Sequence, residues 1–314
     1  MIYGSDKYRY ELVDEWAVYP GGSSFRDVCG LSVDSQDRVY VLNRSENPVM
    51  VFDRDGSLIT SWGHGYFQRA HGSCTAPDGS VFCTDDGHHI VGKFTPEGKL
   101  LMEMGSKDQP SDTGFVHTPG SSLTACLPSI KRGGPPFNRP TGVALSASGD
   151  IYIADGYGNA RVHRFTADGE LVLSWGEPGD APGQFCLPHS VWVDRQGRVW
   201  VPDRENNRLQ IFSGDGQFLA EWTDLKRPTD VYIDEEETVY VSELTQRISI
   251  FSIDGKLLAR WGSDLEKEGE KALFHAPHAI AVDSRGDLYV GEVSQTFAKV
   301  DKGSRTVQKF ARIA

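Results

Sequence analysis

Cysteine is scarce in this chain, and the way it is used excludes a disulfide-built fold. The five cysteines, Cys29, Cys74, Cys83, Cys126 and Cys186, are odd in number and have no Cys-x-x-Cys spacing. They read as reduced, mostly buried thiols of a cytoplasmic protein. Long apolar runs are also missing. No stretch approaches the roughly 18 residues that a transmembrane helix needs. The opening residues, Met1 to Tyr8, have neither an apolar core segment nor a cleavage-site pattern, so secretion is not expected. Positive charge is short as well: 32 Lys and Arg stand against 44 Asp and Glu, a net charge of −12 with no run of five like charges. Nucleic acid and anionic membrane surfaces are therefore not expected as partners, because phosphate binding needs basic patches.

What is present is a repeat. A polar or Pro-containing lead-in is followed by a short apolar strand ending near Asp, a Gly turn and an alternating strand. A third strand ending in Phe, another Gly turn and a strand ending in Trp-Gly complete the unit. The pattern recurs six times, over about 25–63, 67–105, 137–176, 185–222, 227–262 and 274–314. Each unit supplies four short antiparallel strands, which is one blade of a propeller. A lone blade cannot bury both faces, so stacking in a ring supplies the core. The expectation is an all-β chain, residues 1–314, forming one six-bladed β-propeller. Trp62, Trp175, Trp222 and Trp261 end the fourth strands and read as packing between blades. Tyr8–Val18 resembles a fourth strand and is a candidate to close the ring, with Thr306–Ile313 as the alternative. The segment 106–136, rich in Gly, Pro and Ser, is far longer than the other links and reads as a flap beside the site mouth.

The repeats resemble the NHL family, whose pattern includes Asp-x-x-x-Asn-x-Arg after the second strand. Here Asp155, Asn159 and Arg161 fit it, and Asp203, Asn207 and Arg208 come close. The Asp and Asn read as turn-forming residues.

Aligning the lead-ins places Cys29, His71, Thr141, His189, Thr229 and His278 in one register. Histidine occupies the second, fourth and sixth blades, which lie about 120° apart with their first strands lining the central channel. Three imidazoles then converge on one axial point and leave a fourth coordination position open, the pattern of a catalytic metal site. The expected cofactor is one divalent ion, zinc first and iron second. His64, His88, His89, His117, His163 and His275 share no register and read as surface or loop residues, with His275 and His64 as candidate outer partners of the ligands. The loops after the second strands bring Arg44, Asp85, Asp86, Tyr157, Arg204, Glu205 and Glu243 to the same face. Among these, Tyr157 can act as a base beside a cation and Arg44 can hold a carboxylate through two parallel hydrogen bonds.

At these residues the chain resembles peptidyl-α-hydroxyglycine α-amidating lyases. The matching stretches are FNRPTGVALSASGDIYIADGYGNARVHRF and WGEPGDAPGQFCLPHSVWVDRQGRVWVPDRENNRLQIF. The resemblance implies zinc on His71, His189 and His278, with Tyr157 as catalytic base and Arg44 as the holder of a small carboxylate-bearing substrate. The implied reaction cleaves the C–N bond of an N-acyl-α-hydroxyglycine to an amide and glyoxylate. Ala276 stands where the family has Met, which implies a peptide pocket of different shape, and Ala279 stands where it has Asp, the one side-chain ligand of the family's structural calcium, so calcium is not expected. Gly158 stands where it has a half-cystine. Two other readings are a metal-dependent hydrolase of a lactone, ester or amide, and a non-catalytic platform that binds a protein partner.

Overall fold

Alternating apolar positions and Gly turns make each repeat a four-stranded antiparallel sheet. Blade one is typical, with strands Val28–Val33, Val39–Asn43, Val49–Phe52 and Leu58–Trp62 hydrogen-bonded in that order. The computed structural model describes residues 1–22, 24–262 and 272–313, and within them six such sheets form the six-bladed β-propeller. The two inner strands of each blade are the most buried, while the fourth strands carry exposed residues such as Leu58, Leu100, Leu171 and Phe218.

The seams between blades are aromatic. Each fourth-strand tryptophan lies on the third-strand phenylalanine of the next blade: Trp62 on Phe94, Trp175 on Phe212, Trp222 on Phe251 and Trp261 on Phe310, with centroids 5.0–6.0 Å apart. These ring pairs bury large apolar area in tilted or edge-on geometry. Gly98, at φ +89°, shows why the adjoining turn is glycine. A Cβ there would stand 2.4 Å from the Trp62 ring, and the positive φ disfavours other residues.

The ring is closed by the amino-terminal strand. The last blade is ordered Pro277–Val282, Leu288–Glu292, Val307–Ile313, Tyr8–Val13, with Ile2–Ser5 added outside. Tyr8–Val13 thus takes the fourth place, and the carboxy-terminal candidate is the third strand instead. Pairing stops at Val13, but Trp16 continues the seam onto Phe52 of blade one at 5.7 Å and donates its indole N–H to the Arg54 carbonyl.

The 106–136 insertion folds back over one end of the ring. It holds one turn of α-helix, α1 (Leu123–Cys126), followed by a 3-10 turn at Leu127–Ser129, and buries Leu127 and Ile130 against Tyr157 and Leu187. Thr113 Oγ1 ties it down by donating to the Gly158 carbonyl. Among the described residues no helix is long and apolar enough to cross a membrane, and all five cysteines are free thiols.

Candidate metal centre

The site is built from one irregularity repeated around the ring. In five blades the pairing of the first two strands slips at the register residue, between Val28 and Gly30, Ala70 and Ser73, Pro140 and Gly142, Pro228 and Asp230, and Pro277 and Ala279. In blade four the ladder breaks instead, holding only a Pro188–Asp203 bridge before it resumes at Trp192. Such bulges re-aim a side chain out of the sheet's alternation. Here they turn Cys29, His71, Thr141, His189, Thr229 and His278 toward the axis.

A second column of residues holds the lead-ins in place. The last residue of the second strand is acidic in five blades and accepts lead-in backbone N–H groups. Asp85 takes Gln68 and Arg69, Asp155 takes Asn138, and Asp203 takes Cys186 and Leu187. Glu243 takes Lys226, and Glu292 takes His275 and Ala276. Asp85 and Glu243 are fully buried in this role, so they brace the blades and do not reach the site mouth, contrary to the sequence-based expectation.

His71, His189 and His278 form a near-equilateral triangle with ring centroids 4.6–4.8 Å apart, and a ligand nitrogen of each lies within 4.8 Å of the others. Each donates its Nδ1–H to a backbone carbonyl of the next blade's register residue: His71 to Thr141 at 2.6 Å, His189 to Thr229 at 2.7 Å and His278 to Cys29 at 3.0 Å. A carbonyl only accepts, so Nδ1 carries the proton and Nε2 keeps its lone pair. His71 Nε2 is buried without a partner among the described residues. Three neutral imidazoles, fixed in tautomer and aimed at one point, match the donor set of a divalent transition metal. Burial leads in holding all three well below the ordinary histidine value. It is joined by the other imidazoles and Arg44 for His71, by Arg204 and His278 for His189, and by Arg44 and Arg204 for His278. The triad abuts an axial cavity of about 170 Å³ between the first strands.

The odd blades complete a threefold frame. Thr141 Oγ1 donates to the carbonyl of Pro188 and Thr229 Oγ1 to that of Pro277, each just before a histidine. Cys29 lacks a matching hydroxyl, and Arg44 Nε takes its part by donating to the Ala70 carbonyl at 3.3 Å.

Tyr157 stands beside the triad, its hydroxyl 3.4 Å from His189 Nε2 and accepting from Arg204 Nη1 at 3.1 Å. Burial alone would raise this phenol. Arg204, Arg69 and Arg44 outweigh it and hold the phenol below the ordinary tyrosine value. The guanidinium carbons of Arg69 and Arg204 lie 5.1 and 5.4 Å from the ring centroid. Arg44 pairs with Asp27 at 3.2 Å, and its Nη2 is buried with no partner among the described residues. Asp86 is shared by Arg69 and Arg139, and Glu205 by Arg204 and Arg227. Five guanidiniums thus meet three carboxylates at this mouth, an excess of two positive charges in a chain of net charge −12.

The structure brings together all five residues singled out from the sequence, His71, His189, His278, Tyr157 and Arg44. His275 and His64 are not the outer partners of the ligands; backbone carbonyls are. His163 is no surface residue: it is fully buried in blade three, 2.7 Å from Ser174 Oγ. His89 is buried as well. Arg69, Arg139 and Arg227 were not anticipated. They occupy the column two residues before the register position, and that alignment could have found them.

Comparison with known proteins agrees with the blade pattern. Residues 137–165 and 185–212 match the NHL repeat. The chain is 35% identical over 301 residues to NHL repeat-containing protein 3 of Mus musculus, covering 89% of this chain and 78% of that protein. It is 32% identical over 180 residues to peptidyl-alpha-hydroxyglycine alpha-amidating lyase 1 of Drosophila melanogaster, a match that spans 53% of this chain and 29% of that one. A solved streptogramin B lyase superposes with a TM-score of 0.63 at 14% identity, covering 98% of this chain and 99% of that one, a likeness of fold alone. On the 35% identity that covers most of both chains, with the six-bladed architecture and the matched repeats, the chain belongs to the NHL repeat family of β-propeller proteins.

Proposed function

We propose that the chain is a metal-dependent lyase that cleaves the C–N bond of a small N-acyl-α-hydroxyglycine, releasing an amide and glyoxylate. The observation that carries this reading is the placement of Tyr157 and Arg44 around three histidines whose Nδ1–H groups are engaged by carbonyls, so that the Nε2 lone pairs, that of His189 3.4 Å from the Tyr157 hydroxyl, are the atoms a metal would take. The similarity to a Drosophila amidating lyase supports the same reaction class. When bound at His71, His189 and His278, a divalent ion, zinc or iron, supplies Lewis acidity that polarises the reacting oxygens.

The protein's own side chains divide the remaining work. Arg44 Nη2, a buried donor held in place by Asp27 and the Ala70 carbonyl, takes the substrate carboxylate. Tyr157 as phenolate removes the proton from the α-hydroxyl. The electron pair left on that oxygen forms the C=O of glyoxylate as the C–N bond breaks. The proton then passes from Tyr157 to the departing amide nitrogen, so no net proton is consumed. The excess of two positive charges, to which a bound divalent ion would add, favours both the phenolate and the substrate carboxylate. Thr124 of the insertion accepts from Arg204 Nη2 at 3.0 Å, and Leu127 with Ile130 keeps bulk water off the phenol.

The test is incubation of metal-replete protein with α-hydroxyhippurate and assay of glyoxylate. Release that disappears in Tyr157→Phe supports the reading; no release from the metal-replete wild type removes it.

A further inference from the structure

Most exposed large apolar side chains lie on outer fourth strands or at the amino terminus. Val116 and Phe297 are different, because they belong to the two segments beside the site mouth. Phe297 sits in α2 (Ser294–Ala298), the turn that follows the second strand of blade six, and is 49% exposed. Both ends of its surroundings lead into the site. On one side the Thr296 backbone N–H donates to Asp27 Oδ1 at 3.0 Å and its hydroxyl donates to Oδ2, and Asp27 is the partner of Arg44. On the other, the Arg227 guanidinium stands 5.4 Å from the Phe297 ring centroid and shares Glu205 with Arg204, which bonds Tyr157. Arg227 Nε is buried with no partner among the described residues.

A substrate whose carboxylate is on Arg44 and whose hydroxyl faces Tyr157 must still place its acyl group. The carbon that bears both groups also bears the amide nitrogen, and an acyl chain that runs out past Asp27 and Glu205 reaches the segment of Phe297. There it meets a ring for its apolar part and a free N–H for its carbonyl oxygen. Resting on the lyase reading above, we propose that Phe297 and Arg227 form the acyl subsite, and that the preferred substrates are N-acyl-α-hydroxyglycines with an aromatic or bulky apolar acyl group. Aromatic acyl groups gain most, since they stack on Phe297 and lie beside a guanidinium.

The experiment compares benzoyl with acetyl in two readouts. The first is binding of hippurate and N-acetylglycine, which lack the reacting hydroxyl, by titration calorimetry. The second is kcat/KM for the corresponding α-hydroxy compounds. Wild type should favour benzoyl by about three- to tenfold in both. Phe297→Ala should bring the ratio close to one, and Phe297→Leu should restore part of it. The side chain is half exposed, so the alanine variant is expected to fold, and an unchanged thermal midpoint checks this. Equal binding of the two ligands by wild type, or a ratio that survives Phe297→Ala, overturns the subsite. Hippurate preference that depends on Phe297 without any glyoxylate release upholds the subsite and removes the lyase reading.

Discussion

Gly72 lies against the Thr141 carbonyl so closely that a Cβ would stand 2.5 Å from its oxygen, and that oxygen is the acceptor for His71 Nδ1–H. The contact is with backbone, which cannot swing aside. Gly72→Ala is therefore expected to displace the partner that fixes one ligand. Metal affinity should fall about 10- to 100-fold, the usual loss when a ligand's outer partner is disturbed. Competition with a chromogenic chelator measures it; unchanged affinity would show that the carbonyl does not orient His71.

The three histidines should act as a unit. Elemental analysis of the wild type is expected to find one equivalent of divalent metal, and His71→Ala, His189→Ala and His278→Ala are each expected to lose it. Glyoxylate release should be lost in all three. The rings bond first-strand carbonyls, whereas the aromatic seams between blades are built by the third and fourth strands, so a cooperative thermal transition should remain.

Acid should destabilise the metal-free protein. Each histidine is held well below the ordinary value of 6.5 when folded, whereas the unfolded chain takes up protons near 6.5. Below that pH the unfolded state binds more protons, by up to three, so stability falls as pH drops. Urea midpoints of the apoprotein should decline from pH 7 to pH 5, and this decline should be shallower when all three histidines are replaced by Gln, leaving the part due to His89 and His275, which burial also holds below the ordinary value.

Activity should rise with pH on a limb set by Tyr157, with its midpoint below the ordinary tyrosine value of 10. Below that midpoint the phenol keeps its proton and cannot act as base. Arg204→Met removes the largest of the charges that lower it, so the limb should shift to higher pH. Tyr157→Phe should cost roughly 100-fold or more in kcat. An unmoved limb in Arg204→Met would exclude Tyr157 as the titrating group.

Trp16→Ala should weaken the closure of the ring. It removes the indole that meets Phe52 and Tyr289 and the hydrogen bond to Arg54. Loss of a buried tryptophan costs about 3–5 kcal/mol, and a lowered thermal midpoint with unchanged metal content is the expected result.

Much of this architecture was legible because it repeats. The strand spacing, the Trp-to-Phe seams and the alternate-blade histidines are periodic, and periodicity can be read without coordinates. What stayed hidden is where each side chain points and what it pairs with, which a column of like residues does not state. Asp85 and Glu243 lie on the correct face by strand topology, yet they turn inward to satisfy lead-in N–H groups. His163 has no counterpart in the other blades, and only packing places it in a core. Arg69 owes its role to the pairing with Asp86 and the ring of Tyr157, neither of which its own sequence neighbourhood states. The terminal strands were ambiguous for a different reason: both have the pattern of an outer strand, and only the closed ring ranks one inside the other.

The hydrogen bonds from His71, His189 and His278 to the carbonyls of Thr141, Thr229 and Cys29 set the working period of the molecule at two blades. A histidine blade and its successor form one functional couple, and three couples make the centre. A propeller grown or shortened by a single blade would put the ligands out of step. A circular permutant cut at a blade boundary, with the ends of this chain joined, keeps every couple and the whole histidine triangle.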